Sequence, residues 1–212
     1  MVKRWKSKEK KLKKKIYIFT EGYTEKNYFK ILSRKYNLSS SVNIEIKPEV
    51  VGKSGISLLK HAVSKLQKLS KAEKAILGSA YIIFDKDDLS DVDVEEVIVE
   101  SKKEGINIGF SNECFEVWLV AHFEKPNPSF TKKKLYKKME THLSCTQYER
   151  FHKDNEELLK VHLEDRVSSA VENCKEFGKF NQTQIKVTPY TNIGQIVKEI
   201  FDQKIYWVKR II

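Results

Sequence analysis

A mainly parallel α/β sheet with helices on both faces, followed by a C-terminal helical extension, is the fold this 212-residue sequence predicts. Three observations carry that expectation. Strand-like and helix-like apolar patterns alternate four times before residue 125. The third strand, Tyr81-Ile82-Ile83-Phe84, is apolar on both faces, as a central parallel strand must be. Acidic residues follow three of the strands directly: Glu21, then Asp85-Lys86-Asp87-Asp88, then Glu113 and Glu116.

In chain order, 15–20 reads as a buried strand. Residues 24–36 read as a helix whose apolar side is Tyr28, Phe29, Ile31 and Leu32, with Thr24 as a cap. Val42, Ile44 and Ile46 alternate with polar neighbours, the period-two pattern of an edge strand. A loop spans 48–55. From Ile56, residues Leu59, Ala62, Val63, Leu66 and Leu69 recur at helical spacing above a lysine-rich outer face. The strand at 80–84 leads through an acidic turn to a helix at 94–104, which Gly105 ends. A fourth strand at 106–110 and an apolar helix at 113–123 complete a βαβαβαβα order, which implies right-handed crossovers. Past Pro126-Asn127-Pro128 the pattern is helical alone, at 131–140, 146–152, 154–177 and 192–205, with 186–189 extended. The expected organisation is a basic disordered tail (1–14), an α/β domain (15–125) and a helical extension packed on it (126–212).

The formal charge is +11, yet nine Lys/Arg and Glu9 within residues 1–15 supply +8 of it. Such a run does not pack, and it suits a solvated, phosphate-binding arm. It lacks the apolar core of a secretory signal, and no later apolar run approaches the roughly 18 residues of a membrane span. A soluble, cytoplasmic protein is expected. Cys114, Cys145 and Cys174 are odd in number and far apart, which excludes a zinc ribbon or disulfide framework. His142, Cys145, His152 and His162 match no familiar ligand spacing.

Parallel strands bring their C-terminal ends to one rim, where ligands bind. Asp85 and Asp87, two apart on an extended backbone, point the same way and can share a hard cation, with Asp88 as a third candidate. Glu21 would face them if the first and third strands were neighbours. It could ligate the metal or take a proton from an attacking water, with Glu25 supporting it from behind. The competing reading is that acidic turns of this kind are helix caps or solvated loops.

Thr20-Glu21-Gly22-x-Thr24-Glu25 before Tyr28-Phe29, Ile83-Phe84-Asp85-x-Asp87-Asp88, Ser111-Asn112-x-Cys114-Phe115-Glu116-x-Trp118-Leu119 ending His122-Phe123, and Pro189-x-Thr191-Asn192 together resemble the RloB-like family of prokaryotic defence proteins. The resemblance implies a TOPRIM-like, Rossmann-like catalytic domain in which Glu21, Asp85 and Asp87 carry Mg²⁺-dependent strand chemistry, Mn²⁺ being a substitute. It also implies phage defence or abortive infection, often beside a partner ATPase. Glu116, which matches the family motif, is preferred over Glu113 as the further acidic ligand.

Val51-Gly52-Lys53-Ser54 is no P-loop, because the upstream glycine position holds Lys47. Lys53, Lys86 and His122 are the candidate substrate contacts, although a lone His on an apolar helix is more often structural. Thr191 and Asn192 read first as a helix cap. Lys132-Lys133-Lys134 and Lys137-Lys138 could track a nucleic-acid backbone. The leading function is a Mg²⁺-dependent nuclease acting on DNA or RNA. The alternatives are a non-catalytic sensor subunit that binds metal and nucleotide, and a sugar transferase using Asp-x-Asp. The sequence leaves a homo-oligomer open.

Overall fold

The computed structural model describes residues 14–36, 38, 41–46, 55–87 and 89–205, with the side chains of 42–46 and 202–205 outside that description. The basic tail up to residue 13, the loop carrying Lys53, and Asp88 therefore lie outside the described residues.

The elements run β1 (Lys15–Thr20), α1 (Tyr23–Lys35), β2 (Val42–Ile46), α2 (Gly55–Gln67), α3 (Lys71–Ile76), β3 (Leu77–Asp85), α4 (Asp91–Glu104), β4 (Asn107–Asn112) and α5 (Glu116–Val120). The extension then contributes α6 (Lys132–His142), α7 (Tyr148–Phe151), α8 (Glu156–Leu163), α9 (Val167–Asn173), a 3-10 turn (Gln182–Lys186), β5 (Tyr190–Thr191) and α10 (Ile193–Ile205). The sheet order is β2-β1-β3-β4-β5. Strands β1 to β4 pair in parallel and β5 pairs antiparallel with β4, Ser111 opposite Thr191.

The alternation of side chains along β1 and β3 divides the interior into two cores. Ile18, Tyr81 and Ile83 face α1, α5, α10 and the extension, while Tyr17, Phe19, Ile82 and Phe84 face α2 and α4. Burial of both faces explains why β3 is uniformly apolar. The extension shares the first core, since Leu135, Met139, Tyr148, Leu159 and Leu163 pack with Phe29 and Trp118. Gly109 on β4 permits α10 to approach closely, because a Cβ there would stand 2.4 Å from Ile83 Cδ1 and 2.9 Å from Ile193 Cδ1.

Three elements depart from expectation, one being the single helix expected at 154–177, which is broken into α8 and α9. Helix α3 lies where the apolar pattern suggests only a connection, although Ser70 and Glu73 form a full capping box at its start. The expected all-helical extension also supplies a strand. Asn192 fastens it to the sheet, accepting the Phe110 N–H at 2.7 Å and donating to the Ile108 carbonyl at 2.8 Å. Asn192 thus joins sheet to helix, while Thr191 Oγ1 accepts the Ile193 N–H at the start of α10. No helix among the described residues is long and apolar enough to cross a membrane.

Candidate acidic site

The chain leaves β1 to build β2 on one side and returns to build β3 on the other. The crevice beyond the C-terminal ends of β1 and β3 is therefore the topological switch point. Glu21 directly follows β1 and Asp85 is the last residue of β3. Helix α1 brings Glu25 to the same place, and α5 brings Glu116.

Glu116 is fully buried and Glu25 is 6% exposed. Asp85 keeps part of its surface in water, but its Oδ1 does not. Glu25 Oε2, Asp85 Oδ1 and Glu116 Oε2 are all buried without a hydrogen-bond partner. Three orphaned carboxylate oxygens at one rim are costly unless protons or a cation satisfy them. Burial, and then the charges of Glu25, Glu116 and Glu21, hold the Asp85 carboxyl well above the usual range, against the Phe115 N–H that Asp85 accepts at 2.9 Å. Burial pushes Glu25 up to about 7. The Cys114 thiol is raised in turn by burial and by its neighbours Glu116 and Asp85.

Gly22 has an ordinary extended backbone, φ −128°, so its glycine is not needed for a tight turn. Space is the reason: a Cβ at Gly22 would lie 2.7 Å from Glu25 Oε2, so a larger residue would push that carboxylate out of the pocket.

The extension supplies the counter-charge. Lys153 Nζ stands 3.7 Å from Glu116 Oε1, and Tyr148 donates its hydroxyl to the same oxygen at 3.2 Å. Lys153 also donates to the Tyr136 hydroxyl at 3.3 Å. Burial would lower the lysine pKa, but Glu116, Tyr136 and Glu25 outweigh it, so Lys153 stays charged.

Asp87 has a partner from the extension. It sits on the rim in an ion pair with Lys132. Glu113 is spent elsewhere, accepting the Lys132 N–H at 3.3 Å and the Thr188 hydroxyl at 3.1 Å, so Glu116 is the residue that joins Asp85. Two expected substrate contacts have other partners in this structure. His122 is 1% exposed, its Nδ1 lying 3.1 Å from the Trp118 and Leu119 carbonyls and its Nε2 3.1 Å from the Tyr28 hydroxyl. Burial lowers its pKa to about 4, so it is a neutral core residue. Lys86 is tied to Asp91 at 2.6 Å and to the Ile185 carbonyl at 3.2 Å, bracing the turn against α4 and the 3-10 segment.

A divalent cation fits the donor set, being all oxygen with orphaned acceptors. Among the described residues no group of three or more His, Cys, Asp or Glu side chains stands close enough together to hold a metal ion. A cation would therefore draw Glu21, Glu25, Asp85 and Glu116 together. Glu25 was legible as the acidic residue in the first turn of α1, shortly after Glu21 at the end of β1. Lys153 and Tyr148 come from a distant segment with no local signal. A family model described as RloB-like protein matches residues 16–200. No curated protein and no solved structure matches the chain.

Proposed function

The chain belongs to the RloB-like family, and from that premise we propose that it is a Mg²⁺-dependent, TOPRIM-like nuclease that cleaves phosphodiesters, acting in the cytoplasm as the effector of an anti-phage, abortive-infection system. The observation that carries the chemical part is the set of three buried, unpartnered carboxylate oxygens on Glu25, Asp85 and Glu116 at the switch point. The defence role, and a partner ATPase, come with the family resemblance and are part of the proposal.

A bound Mg²⁺ or Mn²⁺ would supply charge neutralisation at the scissile phosphate and acidify a water. Asp85, whose carboxylate accepts the Phe115 N–H, and Glu116, whose carboxylate accepts the Tyr148 hydroxyl, would be its ligands. Glu25 would join by losing its proton. Glu21, half-exposed after β1, would accept the proton of the attacking water. Lys153 keeps the pocket from carrying uncompensated negative charge before ligands arrive.

The second reading, a sensor subunit that binds metal and nucleotide without turnover, is favoured by the pairing of Asp87 with Lys132 instead of with a shared ion. Labelled DNA and RNA incubated with Mg²⁺, Mn²⁺ or chelator separate the two. The nuclease reading expects metal-dependent products that Asp85→Asn abolishes. Ion binding with every nucleic acid left intact would select the sensor.

A further inference from the structure

Helices α6 and α7 border a groove of about 880 Å³ lined by Lys132, Lys133, Lys134, Tyr136, Lys137 and Arg150, with Glu140, Gln147 and Glu149. Lys132 is paired with Asp87, and Lys137 with Glu140 at 2.8 Å. Lys133, Lys134 and Arg150 are exposed and make no ion pair among the described residues. Phe151 follows the lining residue Arg150 in the chain without lining the groove itself; it is 55% exposed, with the Arg150 guanidinium over its ring, 4.9 Å from the centroid. A half-exposed aromatic ring with one cation on it and others without acidic partners nearby suits a base together with its phosphates, and a duplex, whose bases are already stacked, offers such a ring no free base. One wall residue touches the acidic set indirectly: Tyr136 accepts a hydrogen bond from Lys153, whose Nζ lies 3.7 Å from Glu116 Oε1.

Resting on the reading of the chain as a nucleic-acid enzyme, we propose that this groove is the substrate track and that it takes a single strand, with phosphates on Lys133, Lys134 and Arg150 and a base stacked on Phe151.

Anisotropy of labelled single-stranded and duplex oligonucleotides, DNA and RNA, tests this in chelator, so that no cleavage is required. The variants are Lys133→Glu/Lys134→Glu and Phe151→Ala, with Lys133→Ala/Lys134→Ala as the milder pair. Acidic residues in the first turn of α6 suit the helix N-terminus, so folding is retained, as melting curves would verify. The lysine-rich residues 1–15 are common to all and cancel in the comparison. The parent should prefer single strands. The charge reversal should weaken binding about tenfold or more and flatten the log K against log salt slope by roughly 1.4, two contacts at about 0.7 each. Phe151→Ala should weaken single-strand binding about tenfold and leave duplex binding unchanged. Unaltered affinity and slope in both double variants, or a parent that prefers duplex with Phe151→Ala neutral, would overturn the proposal. Groove-dependent binding without any cleavage would sink the nuclease reading alone. Metal-dependent cleavage with unaltered double variants would sink the groove alone.

Discussion

Replacing Glu25 by Gln should stabilise the metal-free protein at alkaline pH, an unusual result for a change at a buried site. The folded pKa of Glu25 is raised from the ordinary value of 4.5 to about 7. The fold therefore holds this proton more tightly than the unfolded chain. The stability that the proton contributes is fully present below the unfolded value and is lost as pH rises through the folded one. Each tenfold difference in proton affinity between folded and unfolded chain corresponds to about 1.4 kcal/mol, so the loss on going from acid to about pH 8 is roughly 3 kcal/mol. Asp85, also raised, adds in the same direction. A glutamine amide stays neutral, so Glu25→Gln removes the Glu25 share of that slope. Urea denaturation in chelator at pH 5, 6, 7 and 8 reads it. The variant should gain up to about 3 kcal/mol over the parent at pH 8 and little at pH 5. Saturating Mg²⁺ should narrow the gap, since an ion that binds only the folded parent stabilises it by mass action. Parallel pH profiles, or a variant less stable than the parent at pH 8, would refute the reasoning.

Other changes probe neighbouring parts of the account. Lys153→Met removes the cation beside Glu116 and should lower metal-free stability at pH 8 while tightening Mn²⁺ binding about tenfold, roughly 1.4 kcal/mol, by calorimetry. Gly22→Ala has an allowed backbone, so its stability should stay within about 1 kcal/mol of the parent, but displacement of the Glu25 carboxylate should weaken Mn²⁺ binding several-fold. Gly109→Ala drives a methyl into Ile83 and Ile193 and should cost about 1–3 kcal/mol in chemical denaturation, with Mn²⁺ affinity unchanged in the folded fraction.

The sheet was legible because its signals are local. Strand periodicity places β1, β3 and β4, and the acidic residues after them fall at the rim. The capping box Ser70-x-x-Glu73 is equally local, and it announces α3. Other features depend on which segments meet in space. Nothing about Tyr148 or Lys153 in sequence says that they close over Glu116, because the chain must first carry α7 past α5. Tyr190 and Thr191 are too few to show a strand pattern, and β4 with Asn192 makes them one. His122 reads ambiguously because a histidine on an apolar helix has the same neighbours whether it serves substrate or core. Its partner Tyr28, 94 residues away, decides for the core. Spacing groups Asp87 with Asp85, whereas Lys132 from the extension holds it on the rim.

Calorimetric titration of Mn²⁺ into the parent and Asp85→Asn at neutral pH, repeated in buffers of different ionisation enthalpy, tests the acidic pocket most directly. The parent should bind saturably with net proton release, because raised carboxyls must deprotonate to ligate, and the variant should lose at least thirty-fold in affinity, about 2 kcal/mol. Absence of saturable binding, or equal binding by Asp85→Asn, would contradict this.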